Sequence, residues 1–170
     1  MKTIYFNRHA KSDWSNEGLN DFDRPLNDRG LRDAPIMGKR LKARKEVIDL
    51  FVSSTANRAI STARLMAQEY GYPLEKIVEV DSLYLPSVRD FLRAVADMSS
   101  SINSIILFAH NPGITDVVEN LTNESLGNIP TCGVAKVEFP LADSWGEISG
   151  GSCTAGTSHR GTCPQPTWFH

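Results

Sequence analysis

The sequence predicts an α/β fold, a three-layer α/β/α sandwich around a mostly parallel central sheet. Three observations carry this expectation. Short apolar runs rich in β-formers recur at residues 2–7, 47–52 and 104–109. Segments with helical apolar spacing follow each run. The run at 104–109 is continuously apolar rather than alternating, as suits a central strand buried on both faces. A chain of 170 residues is long enough for one domain with a sizeable core. It shows no internal repeat and no dividing linker, so one domain is placed at residues 1–150.

The first run holds Ile4, Tyr5 and Phe6 and stops abruptly at Asn7-Arg8-His9-Ala10-Lys11-Ser12-Asp13-Trp14. A strand ending in Arg-His delivers a cation and an imidazole to the carboxyl edge of a sheet, where open α/β folds bind ligands. A polar connection follows over residues 10–26. Asn27 is placed to cap a helix running to about Lys45, with Leu31, Ala34, Gly38 and Leu41 inward. Pro35 should kink that helix or mark a later start. Its other side carries Lys39, Arg40, Lys42, Arg44 and Lys45, which fits either a solvated face or a docking patch for an acidic protein.

The second run ends in Ser53-Ser54-Thr55, any of which suits a helix cap. Ala59, Thr62, Ala63 and Met66 then keep helical spacing up to Gly71. A third strand is read at residues 76–80. A helix at 88–98 turns Phe91, Leu92 and Val95 inward. The most strand-like segment, residues 104–109, runs into His110-Asn111-Pro112-Gly113. Pro112 suits a first helical turn, and Ile114, Val117, Val118 and Leu121 mark the buried face behind it. A polar loop at 122–133 leads to a last strand at 134–139. Residues 151–170 contain no Leu, Ile, Val or Met and are read as an atypical, irregular C-terminal tail, with Trp168 and Phe169 as its only anchors.

Bulk properties exclude several classes. A formal net charge of −2 implies no general attraction to nucleic acid or to an anionic membrane. No apolar stretch approaches the roughly 20 residues of a membrane span, and no basic-then-apolar leader opens the chain. Three cysteines, Cys132, Cys153 and Cys163, lack metal-ligand spacing. A cytoplasmic location is expected.

Three strand ends now converge. Arg8 and His9 follow the first strand, Arg58 the second and His110 the central one. Each alone would be an ordinary surface or turn residue; in a parallel sheet all four reach one edge. Two guanidiniums fit the oxygens of a dianion, helix starts add free N–H groups, and phosphate is the obvious dianion. Two His among two Arg, with no carboxylate evident beside them, make a poor metal site, so no metal is expected.

These motifs resemble the histidine phosphatase superfamily (Arg-His-Gly branch). Arg8-His9-Ala10 is similar to its Arg-His-Gly signature, with Ala10 in place of Gly. Asp23-Arg24-Pro25-Leu26-Asn27, Arg29-Gly30, Ser53-Ser54 with Arg58-Ala59 and Thr62-Ala63, Leu83-Tyr84, and His110-Asn111-Pro112-Gly113 are similar to the SixA-type phosphohistidine phosphatases. The resemblance runs from Met1 to about Gly151 and departs where an apolar closing strand is usual. It implies a phosphoglycerate mutase-like fold and a metal-independent hydrolase that uses no cofactor. His9 would be the transiently phosphorylated nucleophile, with Arg8, Arg58 and His110 binding the phosphoryl group. A general acid, if there is one, is sought at Glu79 or Asp81. The implied partners are a phosphorylated protein or a small phosphorylated substrate, with inorganic phosphate as product and neither nucleic acid nor membrane. Three readings follow: a phosphatase of phosphohistidine on proteins, a phosphomonoesterase of small molecules, and a non-catalytic phosphate-binding module. A mutase is disfavoured, because it must exclude water and the chain offers no evident closing element.

Overall fold

The structure is a computed structural model and describes residues 1–148 and 166–169. Six strands form one sheet: β1 (Lys2–Arg8), β2 (Leu50–Ser53), β3 (Val78–Glu79), β4 (Ser104–Ala109), β5 (Val134–Phe139) and β6 (Thr167–Phe169), in the order β3-β2-β4-β1-β5-β6. β1 and β2 run parallel to β4, and β3 parallel to β2. β5 is antiparallel to β1, and β6 antiparallel to β5.

Alternate side chains of the central strands point to opposite faces, and each face carries a core. On one side Ile4, Phe6, Val52, Ile105 and Leu107 pack with Phe91 and Val95 of α3 (Val88–Ala96) and with Ile114, Val117, Val118 and Leu121 of α4 (Gly113–Thr122). On the other, Tyr5, Phe51, Ile106 and Phe108 meet Ala34, Met37 and Leu41 of α1 (Asp28–Ala43) and Ile60, Ala63 and Met66 of α2 (Asn57–Tyr70). Every residue of β4 is buried. The fold is therefore the three-layer sandwich, with burial on both sheet faces supplying its main driving force.

Local details refine the expectations. Asn27 caps α1 by accepting from the Gly30 N–H at 2.9 Å. The helix runs from Asp28 through Pro35, which marks no later start. Its buried positions are Gly30, Ala34, Met37, Gly38 and Leu41, and Leu31 is exposed rather than inward. One step along a helix rotates a side chain by about 100°, enough to carry Leu31 off that stripe. Gly38 lies where α1 meets α2: a Cβ there would come within 2.4 Å of the Met66 carbonyl oxygen. The N-cap of α2 is Ala56, not one of the three hydroxyl residues before it.

The second strand starts three residues later than its apolar run, and Val47 is exposed. The third strand contracts to two residues, preceded by a single 3₁₀ turn at Leu74–Lys76. α3 ends at Ala96 rather than 98. Thr167–Phe169 falls within the segment read as irregular, yet it pairs with β5 and buries Phe169. The other residues of that segment, with Cys153 and Cys163, lie outside the described residues. Among the described residues no helix is long and apolar enough to cross a membrane.

Candidate active site

The parallel pairing of β1, β2 and β4 sets the site. Arg8 lies opposite Ala109, and Ser53 opposite Phe108. The residues just beyond, His9, Ser54 and His110, therefore emerge together at the carboxyl edge. Arg58 joins them from the first turn of α2. A cleft of about 330 Å³ opens over them, lined by Arg8, His9, Arg58 and His110 together with Lys11, Ser12, Trp14, Asp21, Leu85, Asn111 and Thr131.

His9 is buried, at 8 % exposure, and its orientation is fixed from both ring nitrogens. Nδ1 lies 2.7 Å from the Ala10 carbonyl oxygen. A carbonyl only accepts, so the ring proton sits on Nδ1 and leaves a lone pair on Nε2. Arg58 Nε–H donates to that nitrogen at 3.3 Å. Burial above all lowers the His9 pKa to about 4; the hydrogen bond to Ala10 opposes this, and Arg58 and Arg8 reinforce it. Ala10 is completely buried, and its N–H donates at 2.9 Å to Thr62 Oγ1, which itself donates to the Arg58 carbonyl. The loop after β1 is thus tied to α2 at the residue that carries the cation.

His110 stands beside it, with ring centroids 5.0 Å apart. Its Nε2 is 2.9 Å from Ser54 Oγ, which already accepts from the Ala56 N–H. A hydroxyl both donates and accepts, so this contact engages Nε2 in either tautomer and leaves Nδ1 as the other ring nitrogen. That Nδ1 is buried and has no partner. Burial first, then His9 and Arg58, lower its pKa to about 3.

Arg8 reaches the cleft from the end of β1. Its terminal nitrogen donates to the Ile129 carbonyl at 2.7 Å and to Asn128 Oδ1 at 3.3 Å, and its buried Nε is unpartnered. Asn128 Oδ1 also accepts from Asn111 Nδ2, so the loop before β5 fixes Arg8 and the residue after His110 together. Asn111 Oδ1 accepts in turn from Thr115 Oγ1 of α4.

The structure brings Arg8, His9, Arg58 and His110 into one cleft, but neither Glu79 nor Asp81. Glu79 pairs with Arg64 at 3.3 Å on the surface, and Asp81 is exposed at the start of a 3₁₀ turn. β3 is the edge strand, separated from β1 by β2 and β4, so its end lies off to one side of His9. The cleft's carboxylate is Asp21, which the sequence reading missed as a site residue. Its Oδ2 accepts from Arg58 at 2.8 Å and from the Tyr84 hydroxyl at 2.9 Å, and its carbonyl accepts from the other arm of Arg58. Burial pulls its pKa up, but the hydrogen bonds from Tyr84 and Arg58 and the charge of Arg58 outweigh this and hold it below the usual carboxylate value. Asp21 sits in an irregular connection whose sequence has no periodicity to single it out. Among the described residues no three His, Cys, Asp or Glu side chains cluster as metal ligands do.

Gly113 brings a second wall to the cleft. A Cβ at this position would lie 1.9 Å from the Pro86 carbonyl oxygen. Only glycine therefore lets the start of α4 approach the loop carrying Leu85, whose φ of 47° places it in the left-handed region.

The chain has counterparts of known family and fold. Residues 4–82 match the family model of the histidine phosphatase superfamily (branch 1). A SixA structure from Agrobacterium tumefaciens, assigned as a phosphohistidine phosphatase, is 30 % identical with a TM-score of 0.74, over 81 % of this chain and 91 % of that one. A protein histidine phosphatase SixA complexed with tungstate shares the fold at 21 % identity and a TM-score of 0.70, over 80 % of this chain and 87 % of that one. An uncharacterised protein of Mycobacterium tuberculosis is 29 % identical over 157 residues, spanning 87 % of this chain and 94 % of its own. With an Arg-His pair ending the first strand, an arginine in α2 and a histidine ending the central strand, the chain belongs to the histidine phosphatase superfamily.

Proposed function

We propose that the chain is a phosphatase that works through a covalent phosphohistidine at His9 and acts on phosphohistidine carried by proteins. The observation that carries this reading is the state of His9: neutral, proton on Nδ1, lone pair on Nε2, beneath two guanidiniums and a second imidazole.

The reaction then has two in-line displacements. The Nε2 lone pair attacks phosphorus, the N–P bond of the substrate breaks, and its electron pair leaves with the departing imidazole. The Nδ1–H bond to the Ala10 carbonyl steadies the positive charge that develops on the His9 ring. Water then attacks the phosphorylated His9, the P–Nε2 bond breaks, and inorganic phosphate leaves. Arg8 and Arg58, with His110 beside them, stabilise the charge on the equatorial oxygens in both steps, a form of catalysis by fixed charge. Neither step requires a metal or a cofactor.

The leaving group favours N–P over O–P substrates. Asp21 is held in its charged form by Arg58 and Tyr84, which makes it a poor proton donor near neutrality. A substrate imidazole, with a reference pKa of ~6.5, takes its proton from solvent before leaving. An alkoxide has no such route. The test is phosphate release from a phosphohistidine protein by the native chain and by His9→Ala, with alkaline quenching to trap the intermediate. Label on His9 and a dead variant support the reading. Equal rates remove His9 as nucleophile, and faster turnover of small phosphate esters moves the assignment to a phosphomonoesterase.

A further inference from the structure

A second concavity adjoins the catalytic cleft. It measures about 350 Å³ and lies between Arg29, Asp33, Ile36, Met37 and Arg40 of α1 and the loop Pro130, Thr131, Cys132, Gly133. Thr131 lines both hollows. The two therefore share a wall at Thr131, with the His9 imidazole in one and α1 flanking the other.

The chemistry of the far end is specific. Its floor is apolar: Ile36 is 46 % exposed, and Met37 and Pro130 lie beside it. Its charge is positive. Asp33 is shared between Arg29 at 3.2 Å and Arg32 at 3.0 Å, and Arg40 has no carboxylate partner among the described residues. Lys42 follows further along α1, and Arg44 and Lys45 come just beyond its end. The near end repeats the pattern, with Lys11 in the lining and two large exposed apolar side chains, Trp14 and Leu85, at the mouth. A small phosphate ester seated at His9 leaves this groove untouched. A polypeptide carrying the phosphoryl group is long enough to reach it.

We propose that the groove between α1 and the loop before β5 seats the segment flanking the phosphorylated residue of a protein substrate. An acidic side chain of that segment pairs with Arg40, and an apolar one packs on Ile36, Met37 and Pro130. This rests on the phosphatase reading above and adds what determines its choice of protein. Arg40 and Ile36 are specificity-determining and touch no reacting atom.

The experiment compares three probes: a peptide centred on phosphohistidine with Glu and Leu flanks, the same peptide with Lys for Glu, and free phosphohistidine. The native chain should favour the Glu-flanked peptide over the Lys-flanked one by roughly tenfold in kcat/KM, the scale of a well-placed charge contact, and less in high salt. Arg40→Glu should abolish or invert that preference, and Ile36→Glu should weaken both peptides, while all three proteins hydrolyse free phosphohistidine at the same rate. An unchanged peptide preference in Arg40→Glu overturns the proposal. So does an equal loss on peptides and on free phosphohistidine, which marks a general disturbance of the site. A concentration-dependent dimer that Arg40→Glu dissociates gives the groove to a second copy of the chain instead. Failure of the native chain on all three probes removes the phosphatase reading, and this proposal with it.

Discussion

Arg58 points its Nε–H at Nε2 of His9, 3.3 Å away, while its two terminal nitrogens are both held by Asp21. One guanidinium thus fixes the tautomer of the neighbouring imidazole and is itself fixed from behind. A cation that donates to an imidazole lone pair also disfavours protonation there, so the contact adds to burial in keeping His9 neutral.

Replacing Arg58 should therefore harm chemistry more than folding. Arg58→Lys retains a charge but cannot donate to His9 and accept restraint from Asp21 at once, since an ammonium lacks the planar fork. We expect kcat to fall about 10²- to 10³-fold, the scale of losing one fixed donor to a developing oxyanion. Steady-state kinetics on phosphohistidine substrate test this; a change confined to KM would mean that Arg58 only binds.

The two histidines set the acid limit. With pKa values lowered to about 4 for His9 and about 3 for His110, both stay neutral through the mildly acidic range. kcat/KM should hold as pH falls below 6.5 and decline only near pH 4. An acid limb near 6.5 would contradict the burial argument. Stability follows the same protons. Between about pH 6.5 and 4 the unfolded chain takes up protons that the folded His9 refuses, so stability is full above 6.5 and is lost progressively down to about 4. For His110 the loss continues to about 3. The melting temperature should fall across that window, and His110→Gln should make the decline shallower.

The sequence revealed the meeting of Arg8, His9, Arg58 and His110 because it depends on little more than strand ends. Parallel strands share a carboxyl edge, and Arg8 pairs with Ala109 in register. What was not legible depends on loops. Asp21, Tyr84 and Asn128 carry no periodicity, and their roles come from tertiary approach alone. Glu79 fits by its place in the chain alone, but its strand lies at the sheet edge with β2 and β4 between it and β1. Leu31 was misplaced by a single helical step, since the buried stripe passes through Gly30 and Ala34. β6 was hidden because its three residues gain strand geometry only by pairing with β5.

Gly113 offers a test of the cleft wall that touches no charged group. Ala at this position places a methyl carbon 1.9 Å from the Pro86 carbonyl oxygen, so the loop bearing Leu85 must move. Overpacking of this kind costs about 1–3 kcal/mol, roughly 2–12 °C in melting temperature for a chain of this size. KM should rise as the wall shifts. Unchanged melting and kinetics would mean that the contact between α4 and this loop is loose.

Asp21 competes with any phosphoryl group for the same arm of Arg58. Its carboxylate accepts from Arg58 and from Tyr84 through one oxygen, so Asp21→Asn can keep an acceptor there while removing the negative charge. A dianion entering the cleft then meets one less repulsion and one less rival. Inorganic phosphate should inhibit the variant more tightly, by roughly tenfold for each ~1.4 kcal/mol of repulsion removed. Asp21 also raises the His9 pKa through its charge, so the acid limb of the variant should move lower still. Product-inhibition constants and a pH profile measured together separate two roles. Tighter phosphate binding with a lowered acid limb identifies Asp21 as the counter-charge that helps release product. Weaker phosphate binding would instead show that its main work is to hold Arg58 in place.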